Sequence, residues 1–309
     1  MRPDPIMRAG KNFDQAEGLR RILVRATLRV VGIVGAREGL GATSTVVNLA
    51  AAMAHAGKQV LVLDENLAHD NVANALSLKP RYDLLHAVRD DMPWRDILLR
   101  TASGVHVLPL ARAMQALPGL SGAERERLLE NLTAASRGMD VVLVDATTDG
   151  HSICAGLSEE DPLILVLDAT PEGIKESYAL LKQMAVNHSR QTFELVVNKA
   201  RDEREARTVF DNIAQVAQHH MRVKLNYMGN IPLDDNLARA TQLRCSLVEM
   251  MPGAAASKAC IELARNLLLL SSAEKKGGNT FDQMMQRLLQ QGPNLAQKKS
   301  AQNFAYAAR

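Results

Sequence analysis

Seven short apolar runs divide the chain: Leu28–Val34, Gln59–Leu63, Val105–Pro109, Asp140–Asp145, Leu163–Asp168, Phe193–Lys199 and Tyr227–Ile231. Most are nearly continuous in apolar residues rather than alternating, as expected of parallel strands covered on both faces. The intervening stretches carry helix signals. Thr45–Met53 is Ala-rich and closes on Gly57, placed for a left-handed C-terminal cap. Ser121 with Glu124 forms a capping box, opening a helix that runs to Arg137 and stops at Gly138. Thr170 and Pro171 give a second start, with a cap and proline at the first helical position. A closing helix spans about Ala255 to Leu270. Strand alternating with helix predicts an α/β fold, a doubly wound and mainly parallel sheet with helices on both faces.

One junction stands out. The first apolar run ends in Val34-Gly35-Ala36-Arg37-Glu38-Gly39-Leu40-Gly41-Ala42-Thr43-Ser44, and a helical pattern follows at once. Strand, glycine loop, helix and a second apolar strand make a βαβ phosphate-binding unit. Backbone N–H groups converge at such a loop, and the helix start adds partial positive charge. The loop departs from the Gly-Lys-[Ser/Thr] ending of a P-loop, because Ala42 stands where the phosphate-binding lysine belongs. Thr43 keeps a hydroxyl at the Mg²⁺ position, and Gly39 and Gly41 keep the turn.

Composition narrows the class. At 309 residues and 47% hydrophobic the chain holds one large domain with appendages, and at 3% aromatic its interior is aliphatic. A net charge of +3 is too balanced to demand nucleic acid as a partner. Cys154, Cys245 and Cys260 are scattered without metal-ligand spacing and read as reduced thiols, which points to the cytoplasm. The first residues lack the pattern of a signal peptide, and no apolar run approaches the length of a membrane span. Three regions result: a leader over 1–26, a nucleotide-binding domain over 27–270, and a linker with a tail over 271–309.

The loop resembles the deviant Walker A of the MinD/ParA ATPases, Lys-Gly-Gly-x-Gly-Lys-[Ser/Thr]. In that register Arg37 replaces the signature lysine, Glu38 a glycine and Ala42 the second lysine. The resemblance continues over about residues 14–270. It implies ATP and Mg²⁺ as ligands, with Gly39, Leu40, Gly41, Ala42, Thr43 and Ser44 around the phosphates and Thr43 and Asp145 on the metal. In the family's Asp-x-Asp, Asp64 matches the first carboxylate; the second, which helps position the hydrolytic water, is Asn66. Asn198 matches the asparagine that reads the adenine edge, and Pro232 lies in the segment flanking the base. Within the family, Asp14-Gln15-Ala16-x-x-Leu19-Arg20 resembles the N-terminal motif of the flagellar-number regulators, the FlhG/FleN branch. That branch implies contact with the signal-recognition-type GTPase FlhF and restraint of a flagellar transcription activator. Gln15 suits orientation of a water, and Arg20 neutralisation of transition-state charge.

The tail carries Phe281, Met284, Met285, Leu288 and Leu289 at helical spacing, amid Lys275, Lys276, Arg287, Lys298 and Lys299. Two readings stand side by side: a helix for the anionic inner membrane surface near the flagellar pole, or a helix that docks on the domain or a partner. For the whole chain the expectation is a regulator of flagellar number and placement acting by protein contacts, with hydrolysis weak or absent. The alternatives are a working ATPase switch that homodimerises on ATP at the membrane, and a ParA-like partition protein.

Overall fold

The computed structural model describes residues 28–148, 151–188, 190–270 and 281–289. The Asp14–Arg20 motif, the 271–280 linker and the basic residues Lys275, Lys276, Lys298 and Lys299 lie outside them. In chain order the elements are β1 (Arg29–Gly35), α1 (Ala42–His55), β2 (Val60–Asp64), α2 (Val72–Ala75), α3 (Leu84–Arg89), α4 (Trp94–Ile97), β3 (Leu99–Arg100), β4 (His106–Pro109), α5 (Ala111–Ala116), α6 (Gly122–Ser136), β5 (Val141–Ala146), β6 (Leu163–Asp168), α7 (Pro171–His188), β7 (Thr192–Ala200), α8 (Glu203–Met221), β8 (Lys224–Pro232), α9 (Asp235–Gln242), α10 (Leu247–Met250) and α11 (Ala255–Leu270). A last helix, α12, covers 281–289.

The strands form one sheet in the order β3-β4-β2-β5-β1-β6-β7-β8. All neighbours pair in parallel except β3, which runs antiparallel to β4 at the edge. That two-residue strand is too short to show in an apolar pattern. The doubly wound reading of the sequence therefore holds, with strand ends within a residue or a few of the apolar runs. The expected caps also form. Ser121 accepts from the Glu124 N–H at 3.3 Å while Glu124 accepts from the Ser121 N–H at 2.7 Å.

Alternation along each strand splits the interior into two layers. Val31, Ile33, Val60, Val62, Leu143 and Val166 face α1 and α11. Val30, Val34, Leu61, Leu63, Val144 and Leu165 face the layer of α3 and α5–α8. β1 lies between β5 and β6. The chain winds to β2 on one side and later to β6 and β7 on the other, so a crevice opens above the carboxyl end of β1, where an open α/β sheet binds ligands.

The tail decides between its two readings in this conformation. Phe281, Met284, Met285 and Leu288 are buried in the same layer as Leu63 and Ile153, and Leu289 packs beside them. The stripe is thus covered by the domain and not presented to a membrane surface. Thr133 on α6 donates to the Asp282 carboxylate at 2.7 Å. Gly156 sits directly under the helix, where a Cβ would overlap the Met284 carbonyl. Apolar burial explains the docking: each of these side chains gains about 1.5–3 kcal/mol by leaving water. Met285→Asp places a carboxylate at a position with no exposure and is expected to cost at least about 2 kcal/mol, read as a lower thermal midpoint. An unchanged midpoint would mean that the helix is not seated on the domain.

Candidate functional site

The site begins with two glycines. Gly39 and Gly41 hold φ of 80° and 95°, left-handed values that a side chain resists. At Gly41 space is closed as well, since a Cβ would overlap the Asn198 amide nitrogen. Gly41 is also the N-cap of α1, and no side chain caps that helix and no acidic residue lies in its first turn. The orphan N–H groups and positive end of a 14-residue helix therefore face the crevice. Around it lies a cavity of about 1150 Å³, lined among others by Gly39, Gly41, Ala42, Thr43, Ser44, Asn66, Asp145, Asn198 and Pro232. Leu40 is the exception within the loop: its side chain is fully buried and only its carbonyl faces the site's scaffold.

At the floor, the register of β2 and β5 sets Asp64 beside Asp145. Thr43 Oγ1 donates to Asp145 Oδ2 at 2.9 Å. Burial, with Asp64 and Glu65 nearby, pushes the Asp145 carboxyl well above its usual range. A hydroxyl and a desolvated carboxylate meeting at a helix start suit Mg²⁺, a hard cation often held by one or two carboxylates plus phosphate oxygens. Its charge would relieve the repulsion among these acids. Among the described residues no group of three or more His, Cys, Asp or Glu forms a metal cage.

Asp64 itself does not line the cavity. Its carboxylate accepts from the backbone N–H of Ala73 and Asn66, each at 3.2 Å, and burial pushes it up to about 6. It anchors the start of α2. One residue on, alternation sends Glu65 through to the opposite face. There it accepts from the Ile153 N–H at 2.6 Å, and burial raises it to about 7 against hydrogen bonds from Ser152, Ile153 and Thr147. Glu65 thereby fastens the segment after β5 to the end of β2. Asn66 does face the site, with Nδ2 at 3.4 Å from Thr43 Oγ1 and Oδ1 accepting from the Ala68 N–H at 2.8 Å.

Two further residues of the expected site have partners within the chain. Arg37, in the signature lysine's place, has its guanidinium paired with Glu176 on α7 and 4.0 Å from Asp168. Asn198 was assigned to the adenine edge. Its Nδ2 donates to the Leu40 carbonyl at 2.8 Å, and its Oδ1 accepts from the Lys199 N–H at 2.9 Å. It is a buried clamp on the loop that still lines the cavity, and it retains one amide hydrogen and one acceptor lone pair for a ligand. Lys199 and Glu65 were not singled out from the sequence. Glu65 carried a visible sign, a carboxylate at the end of a buried strand; Lys199 carried none.

Comparison with known proteins agrees with this geometry. Residues 28–268 match the family model described as cellulose biosynthesis protein BcsQ. The antiactivator FleN of Pseudomonas aeruginosa PAO1 is 30% identical over 241 residues, 78% of this chain and 86% of FleN. The chain belongs to the MinD/ParA family of P-loop ATPases, close to FleN. Solved family folds superpose on it. The MinD cell division protein of Aquifex aeolicus has a TM-score of 0.61 at 22% identity, covering 78% of this chain and 96% of its own. MinD of Pyrococcus horikoshii, solved with Mg-ADP, has a TM-score of 0.61 at 21% identity, covering 81% and all of its own chain. Membership makes the chain a MinD-like protein with a nucleotide-site fold.

The loop clamp is open to test. Asn198→Asp sets a carboxylate oxygen against the Leu40 carbonyl in a buried site. The loss is expected to be about 1–3 kcal/mol, measured by denaturant unfolding. Unchanged stability would remove the clamp from the account.

Proposed function

We propose that this chain is a FleN/FlhG-type regulator of flagellar number and placement that works through protein contacts and turns over ATP weakly or not at all. The observation that carries the reading is the pairing of an intact container with altered chemistry. The loop turns, the uncapped helix start and the Thr43–Asp145 pair are kept. Ala42 takes the place of a phosphate-binding lysine, and Asn66 takes the place of a carboxylate.

The losses can be sized. A charge-assisted contact to phosphate is worth about 1.5–3 kcal/mol, so its absence weakens nucleotide affinity on the order of ten- to a hundredfold. Arg37 does not restore it while held by Glu176. Asn66 cannot take a proton or hold a negative charge, so it cannot serve a water as an aspartate would. What remains to the chain's own residues is binding and orientation. The N–H groups at the start of α1 would meet phosphate oxygens, and Thr43 and Asp145 would hold Mg²⁺, whose charge would neutralise the phosphates. The description of the matching family model points to cellulose synthesis, but the 30% identity to FleN and the Asp14–Arg20 motif favour the flagellar reading.

Under this proposal the partners are an FlhF-type GTPase, met by the Asp14–Arg20 motif, a flagellar transcription activator, and a second copy of the chain. Among the described residues no helix is long and apolar enough to cross a membrane. Cytoplasmic placement is part of the proposal.

Two measurements test it. Mg-ATP turnover is expected to be slower in the wild-type chain than in the Ala42→Lys/Asn66→Asp double variant by about tenfold or more; equal rates would sink the impaired-hydrolysis reading. GTP hydrolysis by a purified FlhF-type GTPase is expected to rise with the full chain, and Arg20→Ala is expected to abolish most of that rise. No stimulation by the wild-type chain would remove the partner assignment.

A further inference from the structure

The cavity has a charge problem that its loop does not solve. Asp145 and Glu65 line it with Asp64 close behind them, and Ala42 brings no cation. Among the described lining residues three are Lys or Arg: Arg37, Lys199 and Arg244. Arg37 is spent on Glu176 and Asp168. Arg244 lies in the segment that follows α9. Lys199 touches the loop itself. Its Nζ donates to the Gly39 carbonyl at 2.6 Å.

The backbone at Lys199 shows how it gets there. Lys199 holds φ of 57°, left-handed and costly for a residue with a Cβ. The pairing of β7 with β8 is irregular between Asn198 and Ala200, so Lys199 leaves the ladder. Consecutive residues of β7 thereby grip consecutive carbonyls of the loop: Asn198 takes Leu40, and Lys199 takes Gly39. Asn198 is buried, whereas Lys199 is exposed and lines the cavity. An exposed ammonium on a flexible stem can exchange a carbonyl for a more strongly accepting anionic oxygen.

We infer that Lys199 supplies from β7 the cation that the loop lacks at position 42, holding the Gly39 carbonyl in the free protein and turning to a phosphate oxygen of a bound nucleotide. The inference rests on the nucleotide-binding reading above and adds a binding residue to it. It also gives the left-handed backbone a reason. The strand end must turn back on itself to aim the side chain at the loop.

The test is calorimetric titration of the full chain with Mg-ADP. Lys199→Gly keeps the left-handed backbone without strain and removes the cation. Lys199→Met keeps the apolar stem, and serves if the glycine variant folds poorly. Either change is expected to weaken binding about tenfold or more, and Lys199→Arg to keep most of it. Adding Ala42→Lys to Lys199→Gly is expected to restore binding, because the charge returns from the loop side. Wild-type binding that Lys199→Gly and Lys199→Met both leave within about twofold would overturn the inference while leaving the nucleotide reading intact. A wild-type chain that binds no Mg-ADP into the millimolar range would overturn both.

Discussion

A close approach between a loop and a strand end organises the site. The loop from β1 to α1 passes so near the end of β7 that Gly41 has no room for a side chain, and Asn198 meets the Leu40 carbonyl across the gap. A buried amide pays for its desolvation only when its hydrogen bonds are made, so this contact ties loop shape to the placing of β7. The uncapped start of α1, the Thr43 hydroxyl and the cavity mouth follow from that shape. A nucleotide fold can therefore keep its container after losing its lysine, because the container is held by strand packing and backbone hydrogen bonds.

The electrostatics run the other way. Asp64, Glu65 and Asp145 are all raised chiefly by burial, and the neighbouring acids raise them further. Their partners are mostly backbone N–H groups and hydroxyls, which ease the cost without neutralising it. The three have separate tasks. Asp64 anchors α2, Glu65 fastens the segment leading to Ile153, and Asp145 faces Thr43 in the cavity. The site is therefore acidic at its floor and depends on cations from outside the loop, whether a divalent ion or a side chain from a neighbouring strand.

The tail shows how one amphipathic pattern serves either of two surfaces. Phe281, Met284, Met285 and Leu288 would suit a lipid surface as readily as a protein groove. The domain offers that groove beside Ile153 and Cys154, and Gly156 lets the helix backbone pass close above it. This is the segment that Glu65 fastens to the end of β2, so the docked helix and the cavity floor share one support.

Much of the fold was legible in the chain itself. Parallel strands covered on both faces must be apolar throughout, so each run announced a strand, and the caps at Ser121 and Thr170 announced their helices because capping is local chemistry. The glycine loop, Thr43, Asp145 and the two replaced positions, Ala42 and Asn66, were legible for the same reason: spacing along a βαβ unit carries them. Asp14 to Arg20 was legible as a motif alone. Tertiary structure decided where side chains point when the choice depends on distant partners. It clamped Asn198 to the loop, drew Arg37 to Glu176, and set Asp64 behind the cavity wall. It brought Lys199 to Gly39, a partner 160 residues away, by a left-handed turn that no local pattern encodes. Hydrogen bonds and ion pairs between remote segments exist only once the sheet order has placed their strands side by side, and so only the folded chain assigns them.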